Sequence, residues 1–208
     1  MLAQLSGRLE EAVQLLGNAV AAHRATGDDI SAVSDLLTLA MTQIHLGDPQ
    51  AAQLCHEALA FVEAHDARLL LPYALYALGY DAWRRGDAAQ TLIRVRSALE
   101  HERRFERYGV VVVMLEQLAW ATTAVGHHRE AGRLLGVAGG LWQDIGTTIS
   151  TFGPHAAEQH IQCKENVVRA LGKEAFEVVF AEGARHRAPP TPSPMPCAPN
   201  RGRPPRAR

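Results

Sequence analysis

The sequence predicts an all-α fold, a solenoid of antiparallel helix pairs, on three observations. Gly7, Gly47, Gly86 and Gly126 recur at intervals of 40, 39 and 40 residues. Ala and Leu dominate while aromatic residues make up only 6% of the chain, which favours close-packed helices over sheets. Apolar and small residues also occupy matching offsets from each glycine. A repeat of this length marks stacked helix hairpins, each burying its apolar face against its neighbours.

The first unit is incomplete, because only six residues precede Gly7; one helix over about 8–24 is expected there. Each later glycine supplies the left-handed residue that ends a helix, and a polar step follows: Gly47-Asp48-Pro49, Gly86-Asp87 and Gly126-His127. Asp can cap the next helix, and Pro is tolerated in its first turn. Upstream of the glycines lie Leu39-Ala40, Leu78-Gly79 and Leu118-Ala119, and one turn earlier Leu36, Leu75 and Leu115. Downstream lie Ala12, Ala52, Thr91 and Ala131, then Ala19, Leu59, Ala98 and Ala138 with Ala58 beside Leu59. Small residues seven apart let a partner helix approach closely. Beyond Gly126 the pattern gives a helix over 128–145, a turn over 146–154, a helix over 155–171, a break at Gly172 and a short helix over 174–184. From Arg187 the chain holds eight prolines in 22 residues, which neither helix nor sheet tolerates. Residues 1–186 therefore read as one helical domain and 187–208 as a disordered tail.

Charge and cysteine usage narrow the class. Five of the 21 basic residues, and no acid, fall in 187–208, so 1–186 carries 16 basic against 22 acidic residues. A mildly acidic body gives no argument for nucleic-acid binding. Cys55, Cys163 and Cys197 are odd in number and far apart, which reads as reduced thiols in a cytoplasmic protein. The N-terminus lacks a signal-peptide pattern. The longest nearly apolar run, 69–80, contains Pro72 and stops at Asp81, well short of a membrane span.

The large-x-x-large-small positions, the helix-ending glycines and the paired alanines make residues 30–145 resemble a tetratricopeptide-like array with a period nearer 40 than 34. Together with Arg133-Leu134-Leu135-Gly136-Val137-Ala138 and Ala170-Leu171-Gly172-Lys173-Glu174-Ala175-Phe176, the chain resembles the C-terminal helical-repeat region of bacterial LuxR-type regulators. In that family a nucleotide-binding module precedes the array, and a helix-turn-helix domain often follows it. This chain has no GxxxxGK[ST] loop and no recognisable DNA-reading helix pair, so neither ATP hydrolysis nor sequence-specific DNA binding carries over. The resemblance implies the sensor or scaffold part alone, and a truncated or frame-shifted product is one reading of the Pro/Arg tail.

The candidate site is an aromatic stripe. Tyr73, Tyr76, Tyr80 and Trp83 fall on one helix face, with Arg84 beside them. Counted from Gly86, they occupy positions that line the concave groove of tetratricopeptide arrays. The same register brings Leu37, Met41, Ile44 and His45 from one neighbouring unit, and Val113, Glu116 and Trp120 from the other. Such a groove suits a peptide or an amphipathic small-molecule inducer. The alternative is that longer helices rotate these rings into the core.

Other features read more plainly. Arg84, Arg85, Arg94, Arg96, Arg103, Arg104 and Arg107 are interleaved with acids and read as solvated faces. His155, His160 and Cys163 lack the spacing of a closed metal site. No Ser/His/Asp or Cys/His arrangement points to catalysis. Pro189-Pro190-Thr191-Pro192 could offer a PxxP step, although a solvated tail is the simpler reading. The expected function is non-catalytic protein or ligand binding without a cofactor or metal, as the sensor segment of a LuxR-like regulator. The alternative is a standalone adaptor or a homo-oligomer joined through the exposed face of the N-terminal half-repeat.

Overall fold

A computed structural model describes residues 8–102 and 108–185. Among the described residues there are nine α-helices and no strand: α1 (Leu9–Thr26), α2 (Asp29–Leu46), α3 (Ala51–Ala64), α4 (Leu71–Arg84), α5 (Ala88–Glu102), α6 (Tyr108–Ala124), α7 (His128–Ile145), α8 (Pro154–Leu171) and α9 (Lys173–Arg185). A 3-10 turn, Ile149–Phe152, precedes α8. No described helix is long and apolar enough to cross a membrane. Gly7, the segment 103–107 with three of the arginines, and the tail expected to be disordered all lie outside the described residues.

The expected punctuation is present at the three repeat glycines within the described residues. Gly47, Gly86 and Gly126 have φ of 75°, 80° and 83°. Behind each, the next amide closes the helix end, as Asp48 N–H does on the Gln43 carbonyl at 3.0 Å and Asp87 N–H on the Ala82 carbonyl at 2.9 Å. Asp87 then caps α5 by accepting the Gln90 N–H at 3.0 Å. Gly27 and Gly146 end α1 and α7 in the same way.

The second unit departs from the expected register by one residue. Asp48 accepts the Gln50 N–H at 2.8 Å, a local turn that delays the start of α3 to Ala51. The buried small face is therefore Ala51, Cys55 and Ala58, each 0% exposed, while Ala52 and Leu59 are only half-buried. In the third and fourth units Thr91, Ala98, Ala131 and Ala138 are fully buried, as the repeat requires, whereas in the first Ala12 is buried but Ala19 only half-buried.

Each helix from α1 to α7 packs against the next in sequence, and α2, α4 and α6 also touch in turn, forming a layer of their own. Connections of a few residues make sequential neighbours antiparallel. One hydrophobic core runs from Val20 to Phe176 and includes Leu36, Leu37, Ala40, Leu78, Val112 and Leu135. At the C-terminal end the order changes. The 3-10 turn and Gly153 reverse the chain, so that α8 packs on α6 as well as on α7 and α9. Gly172, with φ of 82°, then swings α9 onto α7.

The α7–α9 contact is unusually close. A Cβ added at Gly136 would stand 2.1 Å from the Phe180 carbonyl oxygen, and one at Gly183 would stand 2.0 Å from that of Arg133. Gly132 and Gly139 extend this smooth stripe, facing Val179 and Phe180. Backbone approaches backbone here, which only glycine permits.

Candidate functional site

The expected groove residues come together on the α2–α4–α6 layer. Tyr76 and Tyr80 stand one turn apart on α4, with ring centroids 6.4 Å apart. Trp120 on α6 lies 6.4 Å from both Tyr80 and Trp83, within the range of favourable aromatic pairing. His45 on α2 closes the other side, its Nε2 3.0 Å from the Tyr80 hydroxyl. Met41, Tyr73 and Tyr76 are half-buried against the same core, and Arg84 is exposed at its rim.

Tyr80 and Trp120 are each 2% exposed and Glu116 is 0% exposed. Between groove and core, these three sit on the core side. The physical reason is α8, which lies across the layer and contacts all three of its helices through side chains. At its start, His155 stacks on His45 with centroids 4.9 Å apart and planes 18° apart. One turn on, the Gln159 side-chain carbonyl accepts the Trp83 indole N–H at 3.0 Å. Next, His160 Nδ1 meets Glu116 Oε2 at 2.8 Å. Further along, Cys163 Sγ lies 3.2 Å from the Thr123 hydroxyl. The three residues weighed as metal ligands thus go to three separate partners.

Glu116 is the pivot of this arrangement. Its other oxygen accepts the Trp142 indole N–H from α7 at 3.0 Å. A fully buried carboxylate needs such donors, because desolvation otherwise makes its charge very costly. One side chain of α6 thereby ties α7 and α8 to the layer.

The environment perturbs several groups. Burial chiefly, with the positive charge of His155 and Arg84 adding to it, holds the His45 imidazole down to about 4. Burial also pushes Tyr80 up to about 12 and Tyr76 above its ordinary range. The Cys55 and Cys163 thiols are each raised to about 12, mainly by burial. Both cysteines are free, and a thiol held so far from its thiolate is a poor nucleophile. We expect neither to react with a disulfide reagent at neutral pH until the chain unfolds. Mass spectrometry of the modified peptides before and after denaturant checks this.

His45 also sets a pH dependence. Its folded pKa lies below the unfolded value of 6.5, so the unfolded chain binds the extra proton first as pH falls. Stability should be unaffected above pH 6.5 and decline between pH 6.5 and 4, by up to about 3 kcal/mol. Urea midpoints across that range should fall, and the fall should shrink in His45→Gln. The exposed carboxyls Asp28 and Asp66 are both lowered by hydrogen bonds, Asp28 by the Ser31 side chain first and its amide second, and Asp66 by the Arg68 guanidinium. They add their own loss only at more acid pH.

Sequence reading placed the α4 stripe and its neighbours together but missed the residues that cover them. Gln159, Trp142 and Thr123 carried no signal, because a helix that folds back across a layer is set by tertiary complementarity. The nearest hint was His155, Gln159 and Cys163 at helical spacing on one face of α8. Of the basic stretch, Arg96 pairs with exposed Glu130 at 3.6 Å, as a solvated face would, whereas Arg85 reaches back to the buried Asp81 at 2.6 Å. Comparison of the chain with family models, curated proteins and solved structures finds no match.

Proposed function

We propose that the chain is a non-catalytic binding module, a tetratricopeptide-like array whose α2–α4–α6 layer is the inner face of a groove. In this reading it serves as the sensor or interaction segment of a LuxR-type regulator, and the groove's natural guest is an amphipathic helix. The observation that carries the reading is the seating of α8. His45, Trp83 and Glu116, from three successive helices of the layer, hold His155, Gln159 and His160 of one crossing helix. The forty-residue recurrence of glycines and small residues supports the array. The LuxR assignment rests on the sequence resemblance alone.

A groove that holds its own helix regulates access by competition. The resident segment is tethered, so it acts at an effective concentration of the order of millimolar, and a partner must exceed that. A fluorescent synthetic peptide of residues 154–171 tests the idea. It should bind the variant Gln159→Ala/His160→Ala at least about tenfold more tightly than the unmodified chain, because the weakened resident helix yields its place. Equal affinity for both proteins removes the groove assignment.

The second reading, an adaptor or homo-oligomer, draws on the N-terminal end, where Leu15 and Ile30 are 55% and 53% exposed. Under it, light scattering should give a mass that rises with concentration and falls back in Leu15→Glu. A constant monomer mass counts against it.

A further inference from the structure

A cleft of about 380 Å³ lies between α8, the ends of α4 and α6, and the start of α7. That volume falls within the rough span of 300–1,000 Å³ typical of small-molecule sites. Trp83 and Trp120 line it from the layer. Gln162, Asn166 and Arg169, at positions i, i+4 and i+7 of α8, line it from the opposite side, and His128 lines it from α7.

Two buried polar atoms of these lining residues have no partner in the protein, Trp120 Nε1 and His128 Nδ1. Trp120 is the exception among the three tryptophans, for the indole N–H groups of Trp83 and Trp142 are both bonded. A buried N–H without an acceptor is a standing cost that a ligand oxygen removes. Charge adds a second direction. Among the described residues no carboxylate lines the cleft, while Arg169 brings a guanidinium to it and donates to the Asn166 side chain at 3.1 Å.

We propose that this cleft binds a small monocarboxylate with a flat apolar body. The body lies against Trp83 and Trp120, an acceptor at one end meets the Trp120 N–H, and the carboxylate meets Arg169 and Asn166. One guanidinium balances one negative charge, whereas a phosphate dianion would leave charge uncompensated. This goes beyond the helix-binding groove. A guest here touches both α8 and the layer beneath it, so it holds the resident helix in place and makes groove access ligand-dependent.

The test uses the full chain, ¹⁵N-labelled, with 4-hydroxyphenylacetate and its neutral amide as probes and the three indole N–H resonances as readout. The acid should shift the Trp120 and Trp83 signals saturably and leave Trp142 in place. The amide should bind at least about tenfold more weakly, and Arg169→Gln, at an exposed position, should remove the difference between the two probes. No saturable shift up to about 10 mM, in the weakest range worth calling binding, overturns the proposal. So does equal affinity for acid and amide in the unmodified chain, or an unchanged ratio in Arg169→Gln. The peptide experiment above is independent of this outcome.

Discussion

Replacing Gly183 with alanine should prise α9 from α7 and cost about 3 kcal/mol or more, the upper range for overpacking. The new methyl would stand 2.0 Å from the Arg133 carbonyl oxygen and 2.8 Å from its carbon. Both are backbone atoms of a helix and cannot rotate aside. Relief must come from moving α9 outwards, which uncovers Val179, Phe176 and Leu135, all buried at present. Gly136→Ala meets the reciprocal obstacle, the Phe180 carbonyl oxygen at 2.1 Å, and should behave alike. For a chain of this size the melting temperature should fall by roughly 6–12 °C. Gly17 is the control, since a Cβ there meets nothing within 4 Å. Alanine at that mid-helix position should raise stability by about 0.5–1 kcal/mol. Melting curves in which Gly183→Ala and Gly17→Ala coincide would contradict the close α7–α9 approach.

Substitution of Glu116 by leucine should be nearly as severe, at about 3 kcal/mol, although leucine has a similar volume and is apolar. The loss comes from the groups left behind. The Trp142 N–H is buried without its acceptor, and His160 loses the partner that draws it against α6. Removing one member of a buried pair typically costs about 3–5 kcal/mol. The His160 ring can turn partly to solvent, since its side chain is 25% exposed, and this tempers the figure. His160→Ala should be comparably harmful because it leaves the carboxylate with a single donor. The double variant should cost less than the sum of the two, with a coupling of about 1 kcal/mol or more. Additive losses in urea denaturation would dissolve the link between the two side chains. A shift of the Trp142 indole resonance in both single variants would trace the same connection spectroscopically.

These two sites mark where sequence reading stops. The helices were legible because their ends are local events. A glycine with positive φ, followed by an aspartate that accepts an amide, writes its consequence within five residues, as at Gly86 and Asp87. The small faces were legible for the same reason, except at Ala52 and Leu59, where the Asp48 turn moved the register by one residue, and at Ala19, which is only half-buried. The membership of the aromatic cluster also followed from the repeat, since Met41, Tyr80 and Trp120 each stand six residues before Gly47, Gly86 and Gly126. Their burial did not follow. That depends on α8, whose path is fixed by side chains remote in sequence: a glutamate on α6, an indole on α4 and an imidazole on α2. The glycine stripe of α7 was not read from the sequence, because Gly132, Gly136 and Gly139 gain meaning only once α9 has turned at Gly172 and brought Gly183 against them.

The stacking of His155 on His45 carries a kinetic consequence. Sequential hairpins close short loops and can form early and piecemeal, whereas this contact joins the second helix to the eighth and must wait for nearly all of the chain between them. Until Glu116 receives His160, the inner aromatic rings stand uncovered and sticky. Refolding should therefore show a fast rise of helical signal followed by a slower phase in tryptophan emission, and the interval between the two is when this polypeptide is most exposed to aggregation.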